Sequence, residues 1–365
     1  MKNRMMSRRG VIFIVSVAVL IIVVGIAFAG YKKNTETKIG LILTGETEDH
    51  GWNGVHYEGV AYACEKLGAK LLVKENVTEG TGRCVEAVNE LAAEGASMII
   101  LSSYAYPEEV KDVVGDYPEI AFYGISAENY ADNMTSYFGR MYQARYLSGI
   151  IAGLQSKSGQ IGYVAAMPNC EVNRGINAFT LGVKSVNSGA NVHVKWTNSW
   201  DNEESEEKAV AALIKDKNVD VLTYHQNQHY TALSADEAQI YSIGYNEEVE
   251  EISDKYLTAA VWNWQKLYHQ ILREHMLGKS NSVKRHWFGI DTGVVGLAEY
   301  SDLVSEEART LVEEAKNDIL SGKDVFSGII YDNEGLQRCD EGENISDEIL
   351  LEKMDWYVDG VVIDE

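Results

Sequence analysis

Asp49, Trp52 and Asn53 stand within five residues of one another in the stretch KIGLILTGETEDHGWNGVHYEG, Lys38 to Gly59. They offer a carboxylate, an indole face and an amide, which suits gripping a flat, hydrogen-bonding molecule: a ring to stack on it and polar groups to read its edge. The same residues fit the start of a helix, with Asp49 as its cap and Trp52 turned into the core, and the segment alone leaves both readings open. Comparable groups recur after later apolar runs. Ser102, Ser103 and Tyr104 follow one and Ser126 another; then come Met167 to Asn173, Ser199 to Asp201, His225 to Asn227, and Tyr245 with Asn246. Trp52, Trp200, Trp262 and Trp264 fall on or beside such positions, so aromatic walls carrying amides and carboxylates are a recurring chemistry of this chain. Position marks Asp49, Trp52, Asn53, Ser103, Tyr104, Asn173, Trp200, His225, Asn246 and Trp262 as candidate ligand contacts.

Catalytic signatures are missing. There is no GxSxG elbow, no Walker loop and no GxGxxG after a strand. The acids from Asp201 to Glu207 sit where a helix begins, and its dipole favours them there. Asp332, Asn333 and Glu334 lack the spacing of a calcium loop, no CxxC pair occurs, and His50, His56, His225 and His229 read as surface or core residues rather than ligands. No catalytic residue, metal or other cofactor is expected.

Placing those candidates around one site takes a particular scaffold. Short apolar runs at 38–43, 69–74, 97–102, 119–124, 160–165, 191–196, 219–223 and 239–244 alternate with amphipathic stretches at 52–67, 82–95, 107–115, 140–155, 172–187, 203–215 and 229–236; further helices are expected at 263–277 and 304–321. This alternation predicts an α/β protein with mostly parallel sheets flanked by helices, and the strand number predicts two sheets. In such sheets the loops at the carboxyl ends of the strands form the ligand crevice, which is where the candidates fall. The expected lobes are 38–137, with return segments from about 257–300, and 138–256, with C-terminal return segments to 365. No Ser- or Gly-rich linker separates them, so structured crossings suit a hinge between lobes.

The chain carries a net charge of −23, and removing the basic N-terminal residues Lys2, Arg4, Arg8 and Arg9 leaves −27 on the rest. Such a surface repels phosphate backbones, so nucleic acid is excluded as a partner. Residues 1–10 read as a basic cytoplasmic tail, and the uncharged run 11–30 as a transmembrane anchor or a secretory signal ending at Ala27-Phe28-Ala29. The length of the run favours an uncleaved helix, followed by a linker at 31–37. Either way the globular part lies outside the cell membrane, where cysteines can pair. Cys64 and Cys84 lie on successive expected helices with Cys170 and Cys339 left over, and three pairings stay open. A monomer is expected.

The segments KIGLIL, DHGWN, YLSGIIAG, IGYVAAMP, YSIGYNEE, YLTAAVWN and FGIDTGVVGLAEYSDLVSEEARTLVEEAKNDILSGK, from residue 38 to about 330, resemble the BMP (basic membrane protein, PnrA-like) family of ABC transporter substrate-binding proteins. The resemblance implies a two-lobed type I periplasmic-binding-protein fold, permease subunits as partners, and a small planar solute such as a purine nucleoside or base taken up by lobe closure. It implies that Asp49, Trp52 and Asn53 match the family's acid, stacking aromatic and amide. The family's Gly-x-Asp stands here as Gly244-Tyr245-Asn246, its Thr-Ser-x-x-Lys as Thr258-Ala259-Ala260-Val261-Trp262, and its Gly-rich turn as Asp291, Thr292 and Gly293, which adds Asp291 to the candidates. An amide and an indole thus replace the two charged groups the family uses near the sugar. Two other readings remain: a membrane-anchored ligand-sensing ectodomain, and an extracellular nucleoside hydrolase that would depend on Asp49.

Overall fold

The computed structural model describes residues 36–364 apart from His50, 127–130, 250–251 and 281. The tail, the anchor or signal segment and most of the linker lie outside the described residues.

The described residues form two large sheets and a two-stranded hairpin. The first joins β1 (Lys38–Ile42), β2 (Lys70–Lys74), β3 (Met98–Leu101), β4 (Ala121–Ile125), β5 (Met134–Gly139) and, from far along the chain, β11 (Arg285–Phe288), in the order β11-β5-β4-β3-β1-β2. Every pairing in it is parallel. The second holds β6 (Gln160–Ala165), β7 (Asn191–Trp196), β8 (Val221–His225), β9 (Tyr241–Asn246), β10 (Tyr256–Trp262), β12 (Val295–Leu297) and β15 (Val361–Asp364), in the order β12-β10-β9-β8-β6-β7-β15, with only β12 antiparallel. Parallel strands need covered crossovers, and α1 (Trp52–Leu67), α2 (Arg83–Ala93), α3 (Tyr106–Val110), α4 (Met141–Gln155), α5 (Cys170–Val186), α6 (Glu203–Lys217) and α7 (Tyr230–Glu237) supply them. Two later helices, α8 (Trp264–Met276) and α9 (Glu306–Leu320), pack on α1 and α4 respectively.

Both faces of the first sheet are buried. Along β3, Met98 and Ile100 enter the core shared with α1, while Ile99 and Leu101 enter a separate core with α2 and α3. That two-residue alternation is the pleat itself. It also corrects the expected disulfides: Cys64 on α1 and Cys84 on α2 lie in these two different cores, on opposite sides of the sheet. Cys170 begins α5, Cys339 lies in a C-terminal hairpin of β13 (Ile330–Tyr331) and β14 (Gln337–Cys339), and all four thiols are free.

The chain crosses between the lobes from β5 to α4, from β10 to α8 and from β11 to β12. The expected return of 257–300 to the first lobe therefore needs correction. Its α8 and β11 do return, but β10 runs parallel to β9, with Ala259 beside Gly244, and β12 pairs with β10, because the apolar run 256–262 completes the second sheet. The crossings touch: the Arg140 amide donates to the Phe288 carbonyl at 2.6 Å. Gly139 makes this possible, since a Cβ there would lie 2.3 Å from the Trp262 ring. Adjacent short crossings of this kind are the usual form of a hinge.

Candidate ligand-binding cleft

A cavity of about 350 Å³ opens between the carboxyl edges of the two sheets. The first lobe lines it with Thr44, Asp49, Trp52, Asn53, Glu79, Ser103 and Tyr104, and the second with Glu171, Trp200, His225, Gln226, Asn227, Tyr245 and Asn246. Thr44 and Ser103 lie just past β1 and β3, His225 and Asn246 end β8 and β9, and the loops bring the rest.

On the first lobe, Asp49 is the organising residue. One of its oxygens accepts the amides of Gly51 (2.9 Å) and Gly54 (2.8 Å); the other accepts the Asn53 side-chain amide at 2.7 Å and its backbone amide at 3.3 Å. Burial alone would raise its pKa, but these hydrogen bonds, that of the Asn53 side chain first, hold it below the usual value. Both oxygens are thus committed, and the expectation that Asp49 reads the ligand directly gives way to a positioning role: it caps the start of α1 and aims Asn53. The Asn53 oxygen accepts from the Thr44 hydroxyl at 3.0 Å, leaving one N–H of the amide for a ligand.

Trp52 is equally fixed. Its indole N–H donates to the Ser102 carbonyl at 2.9 Å, and its ring meets His56 and Trp264 edge-on, at 4.3 and 5.7 Å between centroids. His56 beneath it is fully buried, and burial pushes its pKa down to about 3, against a small opposing pull from Asp49. The neutral ring bonds the Tyr268 hydroxyl at 2.5 Å, which meets Tyr137 at 2.9 Å. Beside Trp52, the Ser103 hydroxyl donates to Glu79, whose pKa is raised by burial and, less, by Glu109, against an opposing amide from Ala105.

The second lobe presents Trp200 edge-on to His225, at 5.9 Å. His225 is buried, and burial first, then the charges of Arg145 and Arg174, hold its pKa well below the ordinary value, so it is neutral. Its ring tilts on Tyr245 at 4.2 Å, and the Arg145 guanidinium lies 4.2 Å from that tyrosine ring. The Nδ1 atom of His225 has no hydrogen-bond partner among the described residues. Asn246 adopts φ +80°, a left-handed conformation that costs a residue with a Cβ.

Eight of the candidates thus meet at one cavity: Asp49, Trp52, Asn53, Ser103, Tyr104, Trp200, His225 and Asn246. Three do not. Asn173 turns away and binds the Met354 carbonyl (2.9 Å) and the Tyr357 hydroxyl (3.0 Å); Glu171, two residues earlier on the helix and so on another face, lines the cavity instead. Trp262 is buried in the hinge, stacked on Trp264 at 4.6 Å in the space that Gly139 leaves, one layer behind Tyr245. Asp291 is exposed on a 3-10 turn between β11 and β12. Glu79 lies in the loop after β2, where the sequence carries no spacing signal that singles it out. Glu171, Gln226, Asn227, Tyr245 and Thr44 lay in loops already marked, without a spacing signal to pick them out.

The lining includes three carboxylates, Asp49, Glu79 and Glu171, and no lysine or arginine. A second cavity of about 500 Å³ shares Tyr104, Glu171 and Trp200 with the first. Although His225 and His229 are four residues apart, they diverge: His229 pairs with Tyr224, which points to the opposite face of β8. No group of His, Cys, Asp and Glu among the described residues is placed to hold a metal ion, and no helix among them is long and apolar enough to cross a membrane.

Residues 36–327 match the family model described as ABC transporter substrate-binding protein PnrA-like. The chain is 33% identical over 330 residues to a purine-binding protein of Brucella abortus, covering 89% of this chain and 92% of that one. It is 32% identical over 324 residues to a Haloferax volcanii protein assigned as an ABC transporter glucose-binding protein, covering 88% and 79%. Among solved structures, a transcriptional activator of the comK gene from Bacillus halodurans superposes with a TM-score of 0.70 at 22% identity, covering 78% of this chain and 99% of that chain, a likeness of fold.

Proposed function

Because the chain belongs to the PnrA-like family of ABC transporter substrate-binding proteins, we propose that its cleft takes an uncharged planar solute, a purine base or nucleoside, and hands it to an ABC permease. The family is one of substrate-binding proteins rather than enzymes, and a place for this chain's globular part outside the cytoplasm belongs to the proposal. Anchoring of this chain through residues 11–30 is part of the proposal.

The observation that carries the reading is the pair of indoles, Trp52 from one lobe and Trp200 from the other, lining a single 350 Å³ cavity. Closing the lobes brings both onto the flat faces of a ring, a contact that tolerates no bulky tetrahedral group. Around the rim, Asn53 offers its remaining N–H, Asn227 and Asn246 both donate and accept, and Glu79 and Glu171 only accept when ionised. Acceptors suit the N–H groups of a base and the hydroxyls of a sugar. With three carboxylates and no cation in the lining, phosphorylated solutes are disfavoured. A relative named for purine binding supports the same choice.

A monosaccharide is the second reading, favoured by the glucose-named relative at nearly equal identity and by the affinity of indole faces for sugar C–H surfaces. Thermal unfolding with adenine, adenosine, glucose and AMP separates the two. The expected result is a rise of roughly 5 °C with adenine or adenosine at about a hundredfold excess over Kd, and none with AMP. A rise with glucose alone would replace the purine by the sugar.

A further inference from the structure

Residues 328–364 lie beyond the 36–327 matched by the family model, and they fold onto the second lobe. The strand β15 extends that lobe's sheet beside β7, and a π-helical turn, Ile349–Lys353, seats against α5. Two asparagines of α5 read the backbone of the segment. Asn173 donates to the Met354 carbonyl, and Asn177 both donates to the Trp356 carbonyl (2.9 Å) and accepts from the Val358 amide (3.0 Å). Leu350 and Met354 are fully buried. By its anchorage the segment belongs to the second lobe.

Its charged side chains reach elsewhere. Glu352 accepts from Arg285 of β11, in the first lobe, at 3.1 Å. Asp347 takes both terminal nitrogens of Arg140, the crossing residue between β5 and α4, at 3.0 and 2.7 Å. That Arg140 guanidinium lies 4.1 Å from the ring of Trp287 in the first lobe, and Arg174 of α5, which donates to the Leu350 carbonyl, lies 5.2 Å from the same ring. Leu351 and Glu352 also wall the 500 Å³ cavity that shares Tyr104, Glu171 and Trp200 with the ligand cleft.

We propose that the C-terminal segment is an interlobe strap: built on the second lobe, it clasps the first lobe through Glu352–Arg285 and the hinge through Asp347–Arg140, and so sets the lobe angle from which the cleft takes its solute. Any rotation about the crossings moves β11 relative to α5 and changes the Glu352–Arg285 separation. A contact made in one lobe arrangement and not another shifts their populations, and apparent affinity falls with the fraction that is competent to bind. Glu352 and Arg285 are each about one-third exposed, so their pair biases the equilibrium by a modest factor; the bidentate Asp347–Arg140 contact at the pivot adds to it. The strap holds the lobes whatever solute the cleft accepts.

The test is single-molecule energy transfer in solute-free protein, between dyes on non-natural residues replacing exposed Glu86 of α2 and Lys215 of α6. Glu352→Gln and Asp347→Asn are expected to broaden or shift the interlobe distance distribution, and the charge-exchanged pair Arg285→Glu with Glu352→Arg to restore it. The Kd of whichever of adenosine or glucose binds should move by roughly two- to fivefold in Glu352→Gln. A segment that only caps the second lobe would lower the melting temperature in these variants and leave the distances unchanged; that result, or failure of the exchanged pair to restore them, overturns the proposal. Because the distances are read without solute, failure of the purine reading would not affect the outcome.

Discussion

On the first-lobe side of the cleft, Asp49 accepts four N–H groups, Asn53 is held between Asp49 and Thr44, and the Trp52 indole is tied to Ser102. On the second-lobe side, Nδ1 of His225, the Nε of Arg145 and the Tyr163 hydroxyl behind it have no hydrogen-bond partner among the described residues, and Asn246 sits at φ +80°. The lining groups of the first wall are tied down before a solute arrives, and its unpartnered atoms, Nε2 of His56 and the Trp264 indole N–H, lie beneath Trp52 rather than among those groups. The second keeps polar capacity in hand and holds a backbone cost, each such feature worth about 1–3 kcal/mol. The comparison teaches a division of labour: one lobe presents a rigid platform, and the other is where solute contact changes the energy of the protein.

The largest effect should come from breaking the platform at its organiser. Replacing Asp49 by Ala removes the acceptor of all four N–H groups and frees Asn53 to turn. The expected cost is about 2–3 kcal/mol of stability, with a loss of affinity of roughly tenfold or more, since a charged acceptor at a helix start and a positioned amide go together. Chemical denaturation and titration with the solute that raises the melting temperature check both. Asp49→Asn, which keeps one acceptor oxygen, should lose less on each scale. If affinity falls while stability holds, Asp49 contacts the solute directly and the platform description is wrong.

The same contrast marks what the sequence made legible. The β1-turn-α1 unit was readable because strand, turn and helix are contiguous, so Asp49, Trp52 and Asn53 could be placed by local spacing alone. The parallel sheets followed from runs such as MIIL and AFYGI, apolar on both faces. The second wall depends on long-range geometry. Whether Glu171 or Asn173 faces the cleft is a question of helix phase, and whether Trp262 enters it depends on Gly139, 123 residues away, leaving room for the ring in the hinge. The disulfide expectation failed for a related reason: two successive helices in an α/β fold can cover opposite faces of one sheet, and sequence spacing does not say which.

A histidine under each wall gives a second, somewhat smaller effect. The pKa of His56 falls to about 3 in the folded protein from an ordinary value near 6.5, so below about pH 6.5 the unfolded chain binds a proton that the native one does not. Stability contributed by neutral His56 is therefore present above that value and lost as pH falls, by about 2 kcal/mol between pH 7 and pH 5. His225 is depressed in the same direction and adds to the slope. In His56→Gln the slope should drop by one proton's worth with or without solute, because His56 lies beneath Trp52. In His225→Gln the difference from the parent should depend on solute, because His225 lines the cleft. Equal solute dependence in both variants would erase the distinction between the walls.

The smallest effect has opposite signs in two measurements, which makes it the sharpest probe of the second wall. Asn246 holds a left-handed backbone that glycine adopts without a Cβ penalty. Asn246→Gly should therefore raise stability, by at most about 1 kcal/mol, because the relieved strain is partly offset by the greater entropy of glycine in the unfolded chain. It also removes an amide from the lining, so affinity should fall by a few-fold even as the melting temperature rises. A residue kept for packing would lose stability when truncated, and one irrelevant to the solute would leave affinity unchanged. Only a residue whose backbone cost is borne for the sake of the cleft moves the two in opposite directions, and the equivalent change on the first lobe, Asn53→Gly, should lower both because that amide is part of the hydrogen-bonded platform.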